Sequence, residues 1–281
     1  MPWDLVKLNS GYEMPTIAFG TWKMGNGDGP ISQDYSCDAP NFIVMQLPRD
    51  EIFITTKYSG LNGLDMRTSI DNSLKNLGVS YVDLYLIHSP RLAVPDIPTA
   101  WKQMEEIKKD GLAKSIGVSN FGVKDMAVLL ATAEIKPAAN QILLHPYVYT
   151  TQAPIIEYAQ AHDIVIEGYS SLIPITQRPG GPVDVPVNKL AKKYDVTPDQ
   201  ILMAWVKHKG AVVVTTSSKK DRLEGCLNAG NLSLADEEIM AIDLAGSEGE
   251  RLYGARKAFL KGTGLLLACA ILVGLYNYMC H

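Results

Sequence analysis

Short β-branched runs alternate with longer stretches in which apolar residues recur every three or four positions. The run Ile52-Phe53-Ile54-Thr55-Thr56-Lys57 has the pattern of a buried strand. After it, Met66, Ile70, Leu74 and Leu77 fall at spacings of four, four and three, which predicts a helix from Asp65 to Leu77. Further strands are predicted at Asp83 to His88, Ser115 to Asn120, Asn140 to Leu144, Ile164 to Tyr169 and Ala211 to Thr216, and one near the start at Ile17 to Gly20. The intervening helices are Pro98 to Asp110, Val123 to Ala133, Pro154 to His162, Val187 to Tyr194, Pro198 to Lys209 and Lys219 to Asn228. A last helix, Ala235 to Ala245, carries Asp236, Glu237 and Glu238 in its first turn, where the helix dipole favours acids. Pro174 to Pro186 reads as a loop.

Strand and helix in strict alternation predict βαβ units and a parallel sheet. The class is α/β, and the number of strands suits a closed barrel better than an open sheet. No G-x-G-x-x-G follows any strand, which argues against a dinucleotide-binding open sheet. The chemically capable residues collect at strand C-terminal ends: Lys57, His88, Ser119 with Asn120, Gln141, Tyr169 with Ser170, and Thr216 with Ser217. In a barrel those ends open onto one face, where active sites lie. Taken singly, Lys57 reads as a surface lysine at a strand exit and His88 as a satisfied polar residue. Taken together, they outline a site for carbonyl reduction. A cation lowers the pKa of a neighbouring phenol, and a histidine orients a carbonyl by hydrogen bond.

Composition narrows the classes. Hydrophobic residues make up 47% of 281 residues, which excludes a disordered chain. A net charge of -4 is the wrong sign for a nucleic-acid binder. Cys37, Cys226, Cys269 and Cys280 form neither a metal-like pair nor a disulfide pattern, so a reducing, cytoplasmic setting is expected. The start, Met1-Pro2-Trp3-Asp4, does not have the form of a secretory signal.

The chain resembles the aldo-keto reductase superfamily, in particular the fungal NADPH-dependent reductases. The resemblance rests on Gly20-Thr21-Trp22-Lys23, Phe53 to Lys57, Asp83-Leu84-Tyr85-Leu86-Ile87-His88-Ser89-Pro90, Ile116 to Phe121, Asn140-Gln141, Tyr169-Ser170, and Thr215 to Lys219 with Arg222. It implies a (β/α)8 TIM barrel that binds NADPH or NADP without a Rossmann domain and reduces a small carbonyl substrate. Lys57 then matches the lysine that tunes the catalytic tyrosine, and His88 the histidine that orients the carbonyl. Gly20, Thr21 and Trp22 fall in the cofactor-binding set. Ser119, Asn120 and Gln141 match residues that hold the nicotinamide carboxamide, and Tyr169 the aromatic that stacks on the ring. Ser170 and Leu172 lie along the pyrophosphate path, with Ser171 in place of the family's proline. Ser217, Ser218 and Arg222 match the patch for the adenosine 2′-phosphate, and a guanidinium suits a phosphate. Thr216 and Cys226 depart from the lysine and asparagine usual there.

A larger departure lies between Lys23 and Lys57. The family's Asp-x-x-x-x-Tyr is absent, and Asp34 and Tyr35 are adjacent instead. Asn41 to Met45 reads as a short strand with no polar residue at its end. Tyr58 follows Lys57 directly and is expected to face away from the site. Tyr35 is therefore the candidate proton donor. The barrel is expected to be incomplete around strand two, one αβα segment being missing through a natural deletion or through faulty splicing of the gene model. The alternatives to an active reductase are a catalytically impaired NADP-binding pseudo-reductase or regulatory protein, and a truncated product without function.

The expected barrel covers residues 1–258. Beyond it, 259–281 forms an apolar tail, with no Lys, Arg, Asp or Glu from Gly262 to His281. About 20 helical residues span the roughly 30 Å of a bilayer's hydrocarbon core. Arg251, Arg256, Lys257 and Lys261 precede the run and suit a cytosolic flank. The tail is read as a membrane anchor; a helix packed on the barrel and translated non-coding sequence are the other readings.

Overall fold

The computed structural model describes residues 3–21, 48–217 and 219–253. Strands β1 (Leu5–Lys7) and β2 (Glu13–Pro15) form an antiparallel hairpin with Val6 opposite Met14. The main sheet contains β3 (Ile17–Phe19), β4 (Thr55–Tyr58), β5 (Val82–Ile87), β6 (Ala113–Ser119), β7 (Ala139–Leu143), β8 (Val165–Tyr169) and β9 (Ala211–Thr215). Its order is β3-β9-β8-β7-β6-β5-β4, with every pair parallel. The crossovers carry α1 (Met66–Leu77), α2 (Ile97–Lys109), α3 (Val123–Leu130), α4 (Tyr149–Ala161), α5 (Ile173–Thr176), α6 (Asp184–Tyr194) and α7 (Pro198–His208), and α8 (Lys220–Asn228) follows β9. A further helix, α9, is described over 236–253.

The period of two along each strand sorts side chains into two cores. Tyr85, Ile87, Ile116, Val118, Ile142, Ile166 and Val213 join Met66, Ile70, Trp101, Met104 and Trp205 in the layer between sheet and helices. Leu84, Leu86, Ala139 and Val212 form a second cluster, with Ala18 and Phe53 packed against it. Residues from both edges of the sheet thus share one interior, which requires the sheet to curl. Leu8 and Met14 of the hairpin region, each 1% exposed, belong to the same interior cluster and close its lower end. Gly117 makes the interior possible, since a Cβ there would lie 2.6 Å from the Ala139 carbonyl oxygen.

Several boundaries differ from the periodic reading, each for a physical reason. The strand expected from Ile52 starts at Thr55, because side chains take the backbone groups ahead of it. Asp83 Oδ2 accepts from the Ile54 N–H at 2.8 Å, and Arg49 donates to the Ile52 carbonyl at 2.7 Å. Arg49 and Lys114 both pair with Asp83, at 2.7 and 3.1 Å, tying β4, β5 and β6 together at their N-terminal ends. The helix expected from Pro154 begins at Tyr149 and contains that proline, which costs one backbone hydrogen bond. The stretch read as a loop holds α5, and α6 starts at Asp184 with Pro186 in its first turn, where a missing N–H is harmless. The β1–β2 hairpin went unpredicted because three-residue strands carry no measurable period. Seven parallel strands stand among the described residues, with β3 and β4 at the edges. The strand expected at Asn41 to Met45 and the tail 259–281 lie outside the described residues. No helix among the described residues is long and apolar enough to cross a membrane.

Candidate active site

The strand parity that builds the interior also selects what rises to its mouth. Lys57 pairs in register with the inward-facing Leu86, so its side chain enters the same interior while Tyr58 turns outward. Tyr58 is buried and donates to the Leu64 carbonyl at 3.1 Å, as its place beside Lys57 on a strand requires. His88 follows β5, and its backbone N–H bonds the Tyr58 carbonyl at 3.1 Å, which fixes the exits of β4 and β5 together. Ser119 ends β6 and Gln141 lies opposite it on β7. Gln141 pairs in turn with Glu167 on β8.

A hydrogen-bond network spans the mouth. The Ser119 hydroxyl donates to the Gln141 carbonyl at 2.8 Å. The Asn120 amide donates to the His88 carbonyl at 3.0 Å and to Ser119 Oγ at 3.1 Å. Its oxygen accepts from the Tyr169 hydroxyl at 2.9 Å. Four strand ends, β5 through β8, are therefore held by one asparagine and its neighbours. Asn120 and Ser170 have φ of 62° and 59°, a left-handed conformation that costs a non-glycine residue free energy and clusters at functional sites.

Beneath this network lie two ionisable side chains removed from water, Lys57 and Glu167. Glu167 is 1% exposed. It accepts from Gln141 Nε2 at 3.2 Å, and its other oxygen has no hydrogen-bond partner among the described residues. Burial pushes the Lys57 ammonium below its ordinary pKa, and the Glu167 charge opposes that shift. Burial pushes Glu167 upward, opposed by Lys57 and by the Gln141 hydrogen bond. The pKa of His88 is lowered by loss of solvent and then by Lys57, which leaves a neutral imidazole at neutral pH. That of Tyr169 is raised by burial, against the effect of its Asn120 bond.

The remaining predicted residues surround the mouth. The Gly20 N–H bonds the Thr215 carbonyl at 2.7 Å, placing Gly20 and Thr21 beside the end of β9. Ser217 follows β9, and its hydroxyl accepts from the Lys219 N–H at 3.1 Å; Arg222 is exposed on the first turn of α8. Ser170 and the half-buried Leu172 lead from β8 into α5. Trp22, Tyr35 and Ser218 lie outside the described residues. Glu167 escaped the sequence reading, although the signal was present: it shares the parity of Tyr169 on an otherwise apolar strand.

Residues 41–174 and 183–246 match the family described as the aldo/keto reductase family. The chain is 38% identical over 205 residues to an NAD/NADP-dependent indole-3-acetaldehyde reductase of Schizosaccharomyces pombe, covering 71% of each chain. It is 39% identical over 218 residues to an NADPH-dependent alpha-keto amide reductase of Saccharomyces cerevisiae, covering 73% of this chain and 70% of that one. Among solved structures, a Bombyx mori aldo-keto reductase in complex with NADP superposes with a TM-score of 0.75 at 26% identity, over 86% of this chain and 92% of that one. An Aspergillus niger D-xylose reductase aligns over 294 positions, more than this chain's length, while using 84% of it. That relative therefore carries residues with no counterpart here. The motifs, the curled parallel sheet and these matches agree, and the chain belongs to the aldo/keto reductase family.

Proposed function

We propose that the protein reduces aldehydes or activated ketones to alcohols with NADPH as the reductant. One observation supports the reading: Lys57, His88, Asn120, Gln141 and Tyr169 come from five neighbouring strands or their exits, and hydrogen bonds through Asn120 join His88 and Tyr169. When bound, the cofactor supplies the hydride. The residues present fit its nicotinamide end. The Asn120 amide and the Ser119 hydroxyl already form one network and offer both donors and acceptors, as a carboxamide needs, and Tyr169 brings an aromatic ring beside them. At the other end, Arg222 and Ser217, with Ser218, would hold a 2′-phosphate, favouring NADPH over NADH.

The chain's own residues then orient and protonate. A neutral His88 can donate one N–H to the substrate oxygen without bringing a second positive charge beside Lys57. The Lys57 ammonium stabilises negative charge as it develops on that oxygen and lowers the pKa of a neighbouring acid. The proton donor is assigned to Tyr35 on the sequence alone. The absence of Asp-x-x-x-x-Tyr supports a second reading, a pseudo-reductase that binds NADP with little turnover. General acid catalysis contributes about 10² to 10⁴-fold, so loss of the donor would cost that much.

Tryptophan-fluorescence quenching by NADPH, measured beside NADPH oxidation with an activated ketone, separates the readings. The first predicts quenching and oxidation; quenching without oxidation supports the pseudo-reductase, and neither would refute both. Turnover that survives Tyr35→Phe would exclude Tyr35 as donor. The tail is proposed to hold the protein on a membrane facing the cytosol. Release of the full chain to the supernatant in a carbonate wash would exclude an anchor.

A further inference from the structure

We infer that Trp3 is a positioning residue for the dinucleotide's 2′-phosphate: it holds the far end of α8, whose first turn carries Arg222. The inference rests on the proposed role of Arg222 for its meaning and on hydrogen bonds within the chain for its geometry.

Burial does little to hold α8. Of its nine residues, Cys226 is the buried one, and Leu227 is 51% exposed. Its first turn is weakly held as well. The residue ahead of it, Lys219, makes no side-chain cap bond. Lys220 and Arg222 place positive charge where the helix dipole is already positive, and Asp221 offsets them in part.

The other end of α8 is tied down by donors from elsewhere in the chain. The last four carbonyls of a helix lack partners within it. Here the Trp3 indole N–H is shared between the carbonyls of Cys226, at 3.1 Å, and Leu227, at 2.9 Å. Gln200 Nε2, on α7, donates to the Gly225 carbonyl at 2.8 Å. Lys207, also on α7, donates to the Gly230 carbonyl at 2.8 Å and stands 5.6 Å from the centre of the Trp3 ring. Trp3 is itself buried, and its neighbour is fixed: the Asp4 carbonyl accepts from the Thr16 N–H at 3.0 Å and from its hydroxyl at 2.8 Å. Thr16 leads into β3, which pairs with β9, the strand that α8 follows. The N-terminal segment therefore straps the C-terminal end of α8 to the foot of β3.

Held in this way, α8 acts as a lever. Arg222 lies five residues before Leu227, about 7.5 Å along the axis. A tilt at the anchored end moves the guanidinium and leaves the strand ends that carry Lys57, His88 and Tyr169 in place. A guanidinium grips a phosphate through bonds of fixed direction. Loosening α8 should therefore cost affinity for the phosphate and spare the nicotinamide end.

Trp3→Phe tests this, because it removes the N–H donor and keeps an aromatic ring beside Lys207. In calorimetric titrations of the full-length protein, it should weaken NADP about five-fold or more and leave NAD within about two-fold of the parent. A general loss of stability would move both constants together or neither. Gln200→Glu keeps the acceptor for the Thr197 N–H and removes the donor to Gly225, so it should shift the ratio the same way even if the Trp3 variant fails to fold. Hydrogen exchange followed by mass spectrometry gives a reading without nucleotide: peptides covering 220–229 should exchange faster in either variant, and those covering β7 and β8 should not. An unchanged NADP-to-NAD ratio in Trp3→Phe, or unchanged exchange across α8, would overturn the inference. A parent that binds neither nucleotide would instead sink the reductase reading, and the exchange measurement would still decide whether Trp3 holds α8.

Discussion

Gly117 offers a demanding check on how the interior is packed. It lies on β6, pointing into the barrel two residues before Ser119. An alanine Cβ would meet the Ala139 carbonyl oxygen at 2.6 Å, the Ala139 nitrogen at 3.2 Å and Leu86 Cδ2 at 2.7 Å. Leu86 can turn aside, but the Ala139 atoms belong to the backbone of β7. Relief would mean separating β7 from β6 by several tenths of an ångström. That strains the bond from the Ala138 N–H to the Ile116 carbonyl, which is 2.7 Å long. Overpacking of this kind costs about 1–3 kcal/mol, and backbone as the unyielding partner puts Gly117→Ala near the upper end. For a domain of this size, about 3 kcal/mol lowers Tm by roughly 6–12 °C. Gly122→Ala provides the control, since its Cβ would meet nothing closer than Asp125 Oδ2 at 3.5 Å. Thermal melts by circular dichroism should show a large loss for the first and less than ~2 °C for the second. Gly117→Ala should also weaken NADPH quenching, because β7 carries Gln141. A Gly117→Ala protein that melts within ~1 °C of the parent would refute this account of the interior.

Two further predictions concern stability. The pKa of His145 is lowered to about 4 by burial and then by Arg178. The unfolded chain has the ordinary value near 6.5. Above pH 6.5 both states are neutral and the native state keeps its full stability; as pH falls toward 4, only the unfolded state takes up the proton. Stability should therefore drop by about 2–3 kcal/mol across that window, and His145→Asn should remove that part of the slope in urea melts at several pH values. A parent and variant with equal slopes would rule it out. Asp83, 5% exposed, sits between Arg49 and Lys114. Asp83→Asn should cost about 2 kcal/mol, less than a fully buried pair because both cations reach solvent. An unchanged urea midpoint would show that the pairing is incidental.

The residues at the mouth were legible in the sequence because strand parity and strand ends are local properties. Lys57, His88, Ser119 and Tyr169 lie at or next to the C-terminal ends of their strands, and a parallel sheet brings such ends to one side; Gln141 instead sits at the centre of β7, opposite Ser119. Tyr58 could be set aside on parity alone, and its hydroxyl does bond outward to Leu64. Boundaries were less legible where side chains displaced backbone partners. Nothing local announces that Asp83 will take the Ile54 N–H and delay β4 to Thr55.

By itself, the sequence determined the succession of strands and helices, the face of each strand that turns inward, and the family motifs. Those follow from periodicity and residue type within a few neighbouring positions. Only the tertiary structure decided which inward residues meet across the interior. Lys57 and Glu167 stand on strands that are not neighbours, and no period along the chain relates them. Both turn into the interior that the curl of the sheet encloses, where the exclusion of water raises the cost of every charge.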